Sequence, residues 1–287
     1  MPAPSPGSWL RRFPLTAYFA IAYLVTWTLL MPLALSARGV LTARVPPEWH
    51  ALGALGPLTA AFLVTRAAGG GPAVRAWLSG FARWRTHPAW WLLAVGSPFA
   101  LCAVSAVLVR LAGGDWPDLA RLRLPAYANR SWLVDLLFVG TLAYGFGEEP
   151  GWRGFALPRL ELRSGPLGAT LILTPLWAIW HWPAFLYRPA YQGGLPTVVG
   201  FLFGLLAGAI VLTFLYDGTR GSLLLVALWH VLINVTMEVA SVVSQPVVAT
   251  MNVLVAVAAV GIAIGWLRMG RCRAPGDAVP AQLRPRD

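Results

Sequence analysis

The chain contains no lysine and few charged residues of either sign. Only 11% of its 287 residues are charged, against about a quarter in ordinary soluble domains, while 57% are hydrophobic and the mean hydropathy is +0.65. This composition excludes an ordinary soluble domain and indicates an integral membrane protein. All 22 basic residues are arginine, and they form no basic stripe with interleaved aromatic residues. The net charge of +11 therefore predicts membrane topology rather than a nucleic-acid partner.

Cysteine is also scarce, since Cys102 and Cys272 are the only two. Their spacing fits neither a thiolate metal site nor a disulfide framework, and we assign them no role. The sequence lacks a G-x-S-x-G elbow, which argues against a serine nucleophile. Glutamates and histidines in membrane spans can also form the proton relay of a transporter. The sequence lacks the internal repeats that would favour such a proton-coupled transporter.

Long apolar runs are what the sequence does contain. A helix needs about 20 residues to cross the hydrocarbon, and the first run has 22 uncharged residues, too many for the apolar core of a signal peptide. We therefore expect it to be retained as a membrane span. The sequence predicts an all-α polytopic membrane protein with about eight transmembrane helices: Leu15–Ser36, His50–Thr65, Ala89–Val109, a fourth from Ser131, Leu167–Tyr187, Leu195–Tyr216, Ser222–Val243 and Val247–Leu267.

The arginines are distributed unevenly between the predicted loops. With both termini inside, 15 arginines lie on the inner side and 7 on the outer side. Cytoplasmic loops carry an excess of basic residues, so this count predicts a multi-pass cell-membrane protein with both termini in the cytoplasm. The sequence does not predict an oligomeric state.

A few polar residues interrupt the later spans. Glu148 and Glu149 are adjacent in the fourth, His181 lies in the fifth, and His230 and Asn234 lie in the seventh. A charge at the centre of a bilayer costs on the order of 3 kcal/mol on insertion scales, so such residues normally face a cavity and have a function. Taken singly, each has an ordinary explanation, such as solvation in the headgroups or hydrogen bonding between helices.

The spacing of these residues predicts that they meet. The turn Ser164–Pro166 reverses the chain, and Glu148 lies about as far before it as His181 lies after it. His230 and Asn234 are one helical turn apart and face the same way. Glu149 and Arg153 are also four residues apart, an arrangement in which the guanidinium can neutralise the carboxylate.

Two kinds of hydrolytic site suit these residue types. A carboxylate in an apolar pocket can take a proton from water while a neighbouring imidazole orients that water, and imidazole or carboxamide donors can stabilise an oxyanion. Alternatively, Glu148, His181 and His230 could bind Zn²⁺ as a set of two histidines and one carboxylate, with Glu149 as the base. The residues leave the choice between zinc and a metal-free mechanism open.

Three short motifs resemble those of the CPBP family, which includes the CAAX prenyl endopeptidases and bacterial abortive-infection and immunity proteins. The first is Glu148–Gly154, EEPGWRG, similar to the E-E-x-x-x-R box. The second is Trp177–His181, which has Trp177 where the family motif F-x-x-x-H has phenylalanine. The third, His230–Asn234, matches H-x-x-x-N. An aromatic residue at position 177 should still pack one turn before His181.

The resemblance implies an intramembrane endopeptidase whose site opens towards the cytoplasmic leaflet. It implies that Glu148 activates water with His181, that His230 and Asn234 hold the oxyanion, and that Glu149 and Arg153 support the site. Residues 131–243 would form the catalytic core, preceded by residues 1–130 with three helices and followed by residues 244–287 with the last helix and an Arg/Pro-rich tail.

The resemblance also bears on partners and on rival functions. The expected partners are the bilayer and a peptide or protein substrate, possibly lipidated. Glu238 lies one turn beyond Asn234 and could line a substrate path. The alternative function is a non-catalytic membrane immunity or scaffold protein that binds a peptide or a membrane protein.

Overall fold

The fold is taken from a computed structural model that describes residues 6–123 and 141–269. The described residues contain helices and turns and no strand. The longer helices and one short N-terminal helix are α1 Pro6–Arg12, α2 Pro14–Ala37, α3 Leu55–Leu78, α4 Pro88–Leu111, α5 Leu157–Trp180, α6 Leu195–Gly218, α7 Leu223–Val243 and α8 Gln245–Met269. A further helical segment, residues 141–156, precedes α5 and is called the site helix below.

Six stretches in the described residues are long and apolar enough to cross a membrane. They are Pro14–Ala37, Pro47–Ala82, Pro88–Leu111, Leu195–Gly218, Leu223–Val243 and Gln245–Met269. The prediction of a polytopic all-α membrane protein is thereby confirmed. The beginning of the predicted fourth crossing, residues 131–140, lies outside the described residues.

The predicted fifth crossing is shorter than the sequence suggested. The α5 helix ends at Trp180 instead of Tyr187, and the chain continues as a 3-10 helix over Trp182–Leu186. Pro183 explains the early end, because proline disfavours the helical conformation of the residue before it and supplies no N–H for the helix ladder. His181 consequently lies at the C-terminal end of α5, where the chain changes direction.

The predicted reversal between the fourth and fifth crossings occurs at Gly165. Its φ of +63° and ψ of 178° break the helical path inside the Leu157–Trp180 segment. A residue with a side chain rarely adopts this left-handed φ, so glycine at this position permits the turn. Trp266 and Leu267 of α8 lie beside this turn. We call this end of the bundle the turn end.

The opposite end of the bundle contains the loop between α5 and α6, residues 181–194. Arg38, just beyond the end of α2, donates from Nε to the carbonyl oxygen of Leu186 at 3.3 Å. The N-terminal end of α2 and the C-terminal end of α8 are therefore both at the turn end. We call the end with residues 181–194 the loop end.

The site helix packs between α3 and α7. Glycines make this close packing possible: a Cβ added to Gly145 would lie 2.7 Å from the Ala227 carbonyl oxygen of α7, and one added to Gly151 would lie 2.7 Å from the Pro57 carbonyl oxygen of α3. The site helix is wound as π-helix over Thr141–Glu148 and again over Trp152–Ala156. Such π turns are frequent at functional sites because they redirect side chains within a helix.

Candidate active site

Three charged side chains of the site helix are completely enclosed by protein. Glu148 is 1% exposed, and Glu149 and Arg153 are each 0% exposed. The acidic pair therefore does not lie in the headgroups, which was the ordinary alternative for these residues. Charges are rarely buried to this degree unless they are paired or hydrogen-bonded.

Glu149 forms the centre of a buried ion-pair network. Its Oε1 accepts from Arg153 Nη1 at 2.9 Å, as the four-residue spacing predicts, and lies 2.6 Å from His230 Nδ1 of α7. A carboxylate oxygen accepts from the imidazole N–H, so His230 carries its proton on Nδ1. When Nε2 carries no proton, it is an acceptor on the other side of the ring. The network fixes the site helix against α7.

Arg153 is also held by an aromatic face. Its guanidinium carbon lies 4.4 Å from the ring centre of Trp177 on α5. The ring of Trp177 in turn meets the ring of His230 edge-on, with centroids 5.6 Å apart and an interplanar angle of 88°. The cation–π contact adds attraction because Arg153 and Trp177 are both buried. Trp177 thus joins the site helix, α5 and α7 at one point.

Glu148 is held by two indole groups. Its Oε2 accepts from Trp177 Nε1 at 3.0 Å and from Trp152 Nε1 at 3.2 Å. Trp152 is itself 0% exposed, so this carboxylate is fixed in a rigid aromatic surrounding. Oε1 of Glu148 has no hydrogen-bond partner among the described residues, which leaves this oxygen able to accept a proton.

His181 is brought to the same place through Trp177. Its Nδ1 lies 2.8 Å from the Trp177 carbonyl oxygen, and because a carbonyl only accepts, Nδ1 carries the proton. The ring of His181 is 5.8 Å from the Trp177 ring and 4.7 Å from the Trp180 ring. Its Nε2 is then an acceptor, as in His230. No hydrogen bond joins His181 directly to Glu148 within residues 141–269.

Asn234 and Glu238 continue the line of His230 along α7. Asn234 is half-buried one turn past His230, and its amide has no hydrogen-bond partner in the part of the chain that the structure describes. Glu238 is exposed. The structure therefore brings together Glu148, Glu149, Arg153, His181 and His230, with Asn234 at the edge of this group and Glu238 outside it.

Sequence reasoning missed the contribution of the tryptophans. Trp177 was expected only to pack in place of phenylalanine, whereas its Nε1–H, which phenylalanine lacks, donates to Glu148. Trp152 lies four residues after Glu148, one turn along the site helix, and this spacing could have indicated the contact. Tyr144 was also missed; its ring lies 6.4 Å from that of His230.

The proposed zinc ligands do not form a metal-binding group in this arrangement. No set of three His, Cys, Asp or Glu side chains within residues 6–123 and 141–269 is placed to hold a metal ion. Oε2 of Glu148 accepts from two indoles, and Nδ1 of His230 is paired with Glu149. These bonds leave Oε1 of Glu148 and Nε2 of both histidines free, and a metal-bound imidazole also donates its other N–H to a carboxylate or carbonyl. The choice between zinc and a metal-free mechanism therefore stays a prediction, and we derive no step through a metal.

The fold and this site define a class of protein: a polytopic all-α membrane protein with carboxylates, imidazoles and a guanidinium gathered inside the bundle. Residues 130–236 match the family model of the type II CAAX prenyl endopeptidase Rce1-like proteins. The match contains all three polar segments of the site, so this part of the chain is similar to the Rce1-like CAAX prenyl endopeptidases.

A curated relative agrees with the family match. The chain is 30% identical over 131 residues to CAAX prenyl protease 2 of Methanococcus maripaludis. The alignment covers 44% of this chain and 48% of the relative, so the chain spans about half the length of the curated relative that it matches.

Proposed function

We propose that the protein is an intramembrane endopeptidase that hydrolyses peptide bonds with a water molecule activated by Glu148. The observation that carries this proposal is the enclosed Glu148 carboxylate, held by two indole N–H groups beside two histidines. A carboxylate fixed in a low-dielectric surrounding with one free oxygen is suited to act as a general base. The family match of residues 130–236 supports the same activity.

The reaction that we infer begins with Glu148. Oε1 takes a proton from water, the water oxygen attacks the carbonyl carbon of the peptide, and the same proton is later given to the leaving nitrogen as the C–N bond breaks. Nε2 of His181 accepts from the other O–H of the water and so orients it. We propose no metal in these steps.

The oxyanion of the tetrahedral intermediate needs hydrogen-bond donors. Asn234 supplies an amide N–H group from α7, and we assign it this role. His230 can donate there only if it carries protons on both nitrogens, because its Nδ1–H already donates to Glu149. In our proposal Glu149 and Arg153 position His230 and do not touch the substrate.

The substrate class follows from the membrane location and from the relatives. We propose that the protein cuts membrane-associated proteins, including lipidated proteins with CAAX-like ends, because the curated relative is named a CAAX prenyl protease. The bilayer would hold such substrates beside the site.

For topology we propose that both termini are cytoplasmic, on the basis of the arginine count. Both ends of the described bundle lie at the turn end, so the loop end with residues 181–194 would then face the other side of the membrane. Under this topology, an entrance to the active site at the loop end would not open to the cytoplasm. Labelling of Gln192→Cys on intact cells, in a background without Cys102 and Cys272, with a membrane-impermeant maleimide tests the orientation.

A cleavage assay tests the proposed activity. Purified protein is incubated with a library of lipidated and unlipidated peptide reporters, and wild type is compared with Glu148→Gln and His181→Ala, with and without a chelator. We expect wild type to cut a reporter, Glu148→Gln to lose this activity and the chelator to leave it unchanged. Cleavage that survives both substitutions would overturn the assigned roles, and loss of activity with the chelator would overturn the metal-free mechanism.

A further inference from the structure

Two exposed arginines of α3 converge on a turn made of glycines. The helix is interrupted at Gly69, with φ −143° and ψ 17°, and at Gly70, with φ +65° and ψ −156°. A Cβ added to Gly70 would lie 3.5 Å from Arg66 Nη1. One added to Gly71 would lie 3.4 Å from Arg75 Nη1. Both guanidinium groups therefore lie against adjacent glycines, and we call these five residues the α3 turn.

The α3 turn lies at the turn end of the bundle. Gly147 of the site helix approaches Ala54, and Gly151 approaches Pro57, so α3 runs parallel to the site helix. The site helix continues into α5 and leads to the reversal at Gly165. From the level of the active site, α3 therefore leads towards the turn end before its glycines interrupt it.

No carboxylate of the described residues pairs with these two arginines. The ion pairs of that part of the chain involve Arg121, Arg153 and His230, and neither arginine of the α3 turn takes part in one. Arg66 and Arg75 are both exposed. Two positive charges at one turn repel each other, so an anion between them would replace this repulsion with two attractive contacts. Glycines add to this fit because they let a ligand approach the backbone closely.

The surroundings of the α3 turn are basic too. Of the described acidic residues, only Glu161 and Asp217 lie at the turn end, and both are half-buried. Residues 270–287 contain four arginines and two aspartates, so this part of the chain carries the wrong net charge to neutralise the turn end. The other exposed arginines at this end are Arg11, Arg12, Arg85, Arg163, Arg220 and Arg268. An anion that binds here therefore comes from outside the described chain.

Apolar side chains lie next to the α3 turn on the side of the bilayer. Phe62 and Leu63 precede Arg66 by four and three residues, so they share its face of the helix. They are 44% and 42% exposed, in a stretch long and apolar enough to cross a membrane. At 1.5 Å per residue they lie roughly 5–6 Å deeper than Arg66. This face thus offers positive charge at the membrane surface and apolar side chains directly below it, which is the arrangement that a phospholipid requires.

We propose that the α3 turn binds the phosphate group of an anionic phospholipid. The guanidinium groups of Arg66 and Arg75 are the donors, since each presents N–H groups in a fork that fits two phosphate oxygens. The acyl chains lie against Phe62 and Leu63. This inference goes beyond the proposed function and does not depend on any cleavage activity.

Competition between two lipids tests the site. The full chain in a non-ionic detergent is mixed with equal amounts of phosphatidylglycerol and phosphatidylcholine that have the same acyl chains. The ratio of the two bound lipids is then measured by native mass spectrometry. Both lipids have the phosphate, but only phosphatidylglycerol has a net negative charge. A basic residue beside an anionic lipid strengthens binding by about fivefold, so wild type should prefer phosphatidylglycerol by about 5- to 25-fold.

Substitutions at the α3 turn should change this ratio. Arg66→Gln/Arg75→Gln should lower it by at least about fivefold. Arg66→Lys/Arg75→Lys should give an intermediate ratio, because it keeps both charges and loses the fork. Comparison of the two lipids within each variant removes any general loss of folded protein from the result.

The matched control is Arg85→Gln/Arg163→Gln, which removes two exposed arginines from the turn end outside the α3 turn. It should keep the wild-type ratio. An equal loss in this control would show a general attraction to the basic end and would overturn the site. Equal binding of the two lipids by wild type would overturn it as well.

Free phosphate has the same oxygens as the lipid headgroup, so a further arm of the experiment separates these two sources. Inorganic phosphate is added to the lipid mixture, and sodium chloride at the same ionic strength is the control for screening. We expect phosphate to displace no more phosphatidylglycerol than chloride does, because phosphate makes no contact with Phe62 and Leu63. Greater displacement by phosphate would overturn the assignment to a lipid.

Discussion

Replacement of Glu149 by glutamine should destabilise the protein far more than the same replacement of Glu148. Glu149 Oε1 accepts from Arg153 at 2.9 Å and from His230 at 2.6 Å, and Glu149 and Arg153 are completely enclosed. In Glu149→Gln the guanidinium of Arg153 stays buried and loses its hydrogen-bonded carboxylate, and only the charge of Glu148 remains nearby without a hydrogen bond to it. Glu148 accepts instead from two neutral indoles, and a glutamine oxygen can still accept those bonds.

The magnitude follows from the burial of the pair. Removal of one partner from a buried ion pair costs about 3–5 kcal/mol, because the other charge remains in a low-dielectric surrounding. Arg153 cannot move to water from an exposure of 0%, so the Glu149→Gln variant should fall within this range. In Glu148→Gln the two indole N–H groups still donate to an oxygen, but this oxygen no longer carries a negative charge. We expect the weaker hydrogen bonds to lower the unfolding free energy by about 1 kcal/mol.

Reversible unfolding measures this difference. Wild type and the two variants are unfolded in mixed micelles by increasing SDS, with tryptophan fluorescence as the signal, and their unfolding free energies are compared at one detergent composition. The adjacent position and identical chemical change make Glu148→Gln the control for Glu149→Gln. A Glu149→Gln variant within about 1 kcal/mol of Glu148→Gln would refute the view that Glu149 stabilises the site while Glu148 acts in catalysis.

Two further predictions concern packing and the tryptophan donor. Gly151→Ala should lower the unfolding free energy by about 1–3 kcal/mol, since its Cβ would lie 2.6 Å from the Pro57 Cβ and 2.7 Å from the Pro57 carbonyl oxygen. The control in the same SDS titration is Gly208→Ala. Its added Cβ would meet nothing within 4 Å, so this variant should not lose stability. Trp177→Phe should lower kcat for the peptide reporter about tenfold, because it removes the N–H that donates to Glu148 at 3.0 Å. It also replaces the indole against Arg153 by a smaller ring, so its folding is measured in the same SDS titration. Trp182→Phe, at a residue 59% exposed, should keep the wild-type kcat, and equal rates for both variants would contradict the role of Trp177.

Much of the fold could be predicted because apolar runs of membrane length have few possible structures. In lipid every backbone N–H and C=O must be satisfied within the chain, so such runs form helices. The helices Pro14–Ala37, Leu195–Gly218, Leu223–Val243 and Gln245–Met269 end within three residues of the predicted spans. The prediction failed for the end of α5, where Pro183 stops a helix although the residues around it remain apolar.

The residue types of the site were predicted from the cost of placing charges in an apolar chain, and the pair of Glu149 with Arg153 was predicted from the four-residue spacing. The pairing of Glu149, and not Glu148, with His230 could not be predicted. It depends on the rotation of the site helix, which the π turns over Thr141–Glu148 and Trp152–Ala156 change from that of a regular α-helix. Adjacent residues point in different directions, so a small rotation decides which carboxylate meets the imidazole.

The sequence by itself determined that this is a helical membrane protein and which rare polar residues lie in its later spans, because hydrophobic length and the cost of buried charge are local properties of the chain. Only the tertiary structure decided the partners that the spacing did not predict: Glu149 with His230, and Glu148 with two tryptophans. The contacts of Glu149 with His230 and of Glu148 with Trp177 join helices far apart in sequence, and glycines such as Gly145 and Gly151 let the site helix approach its neighbours closely.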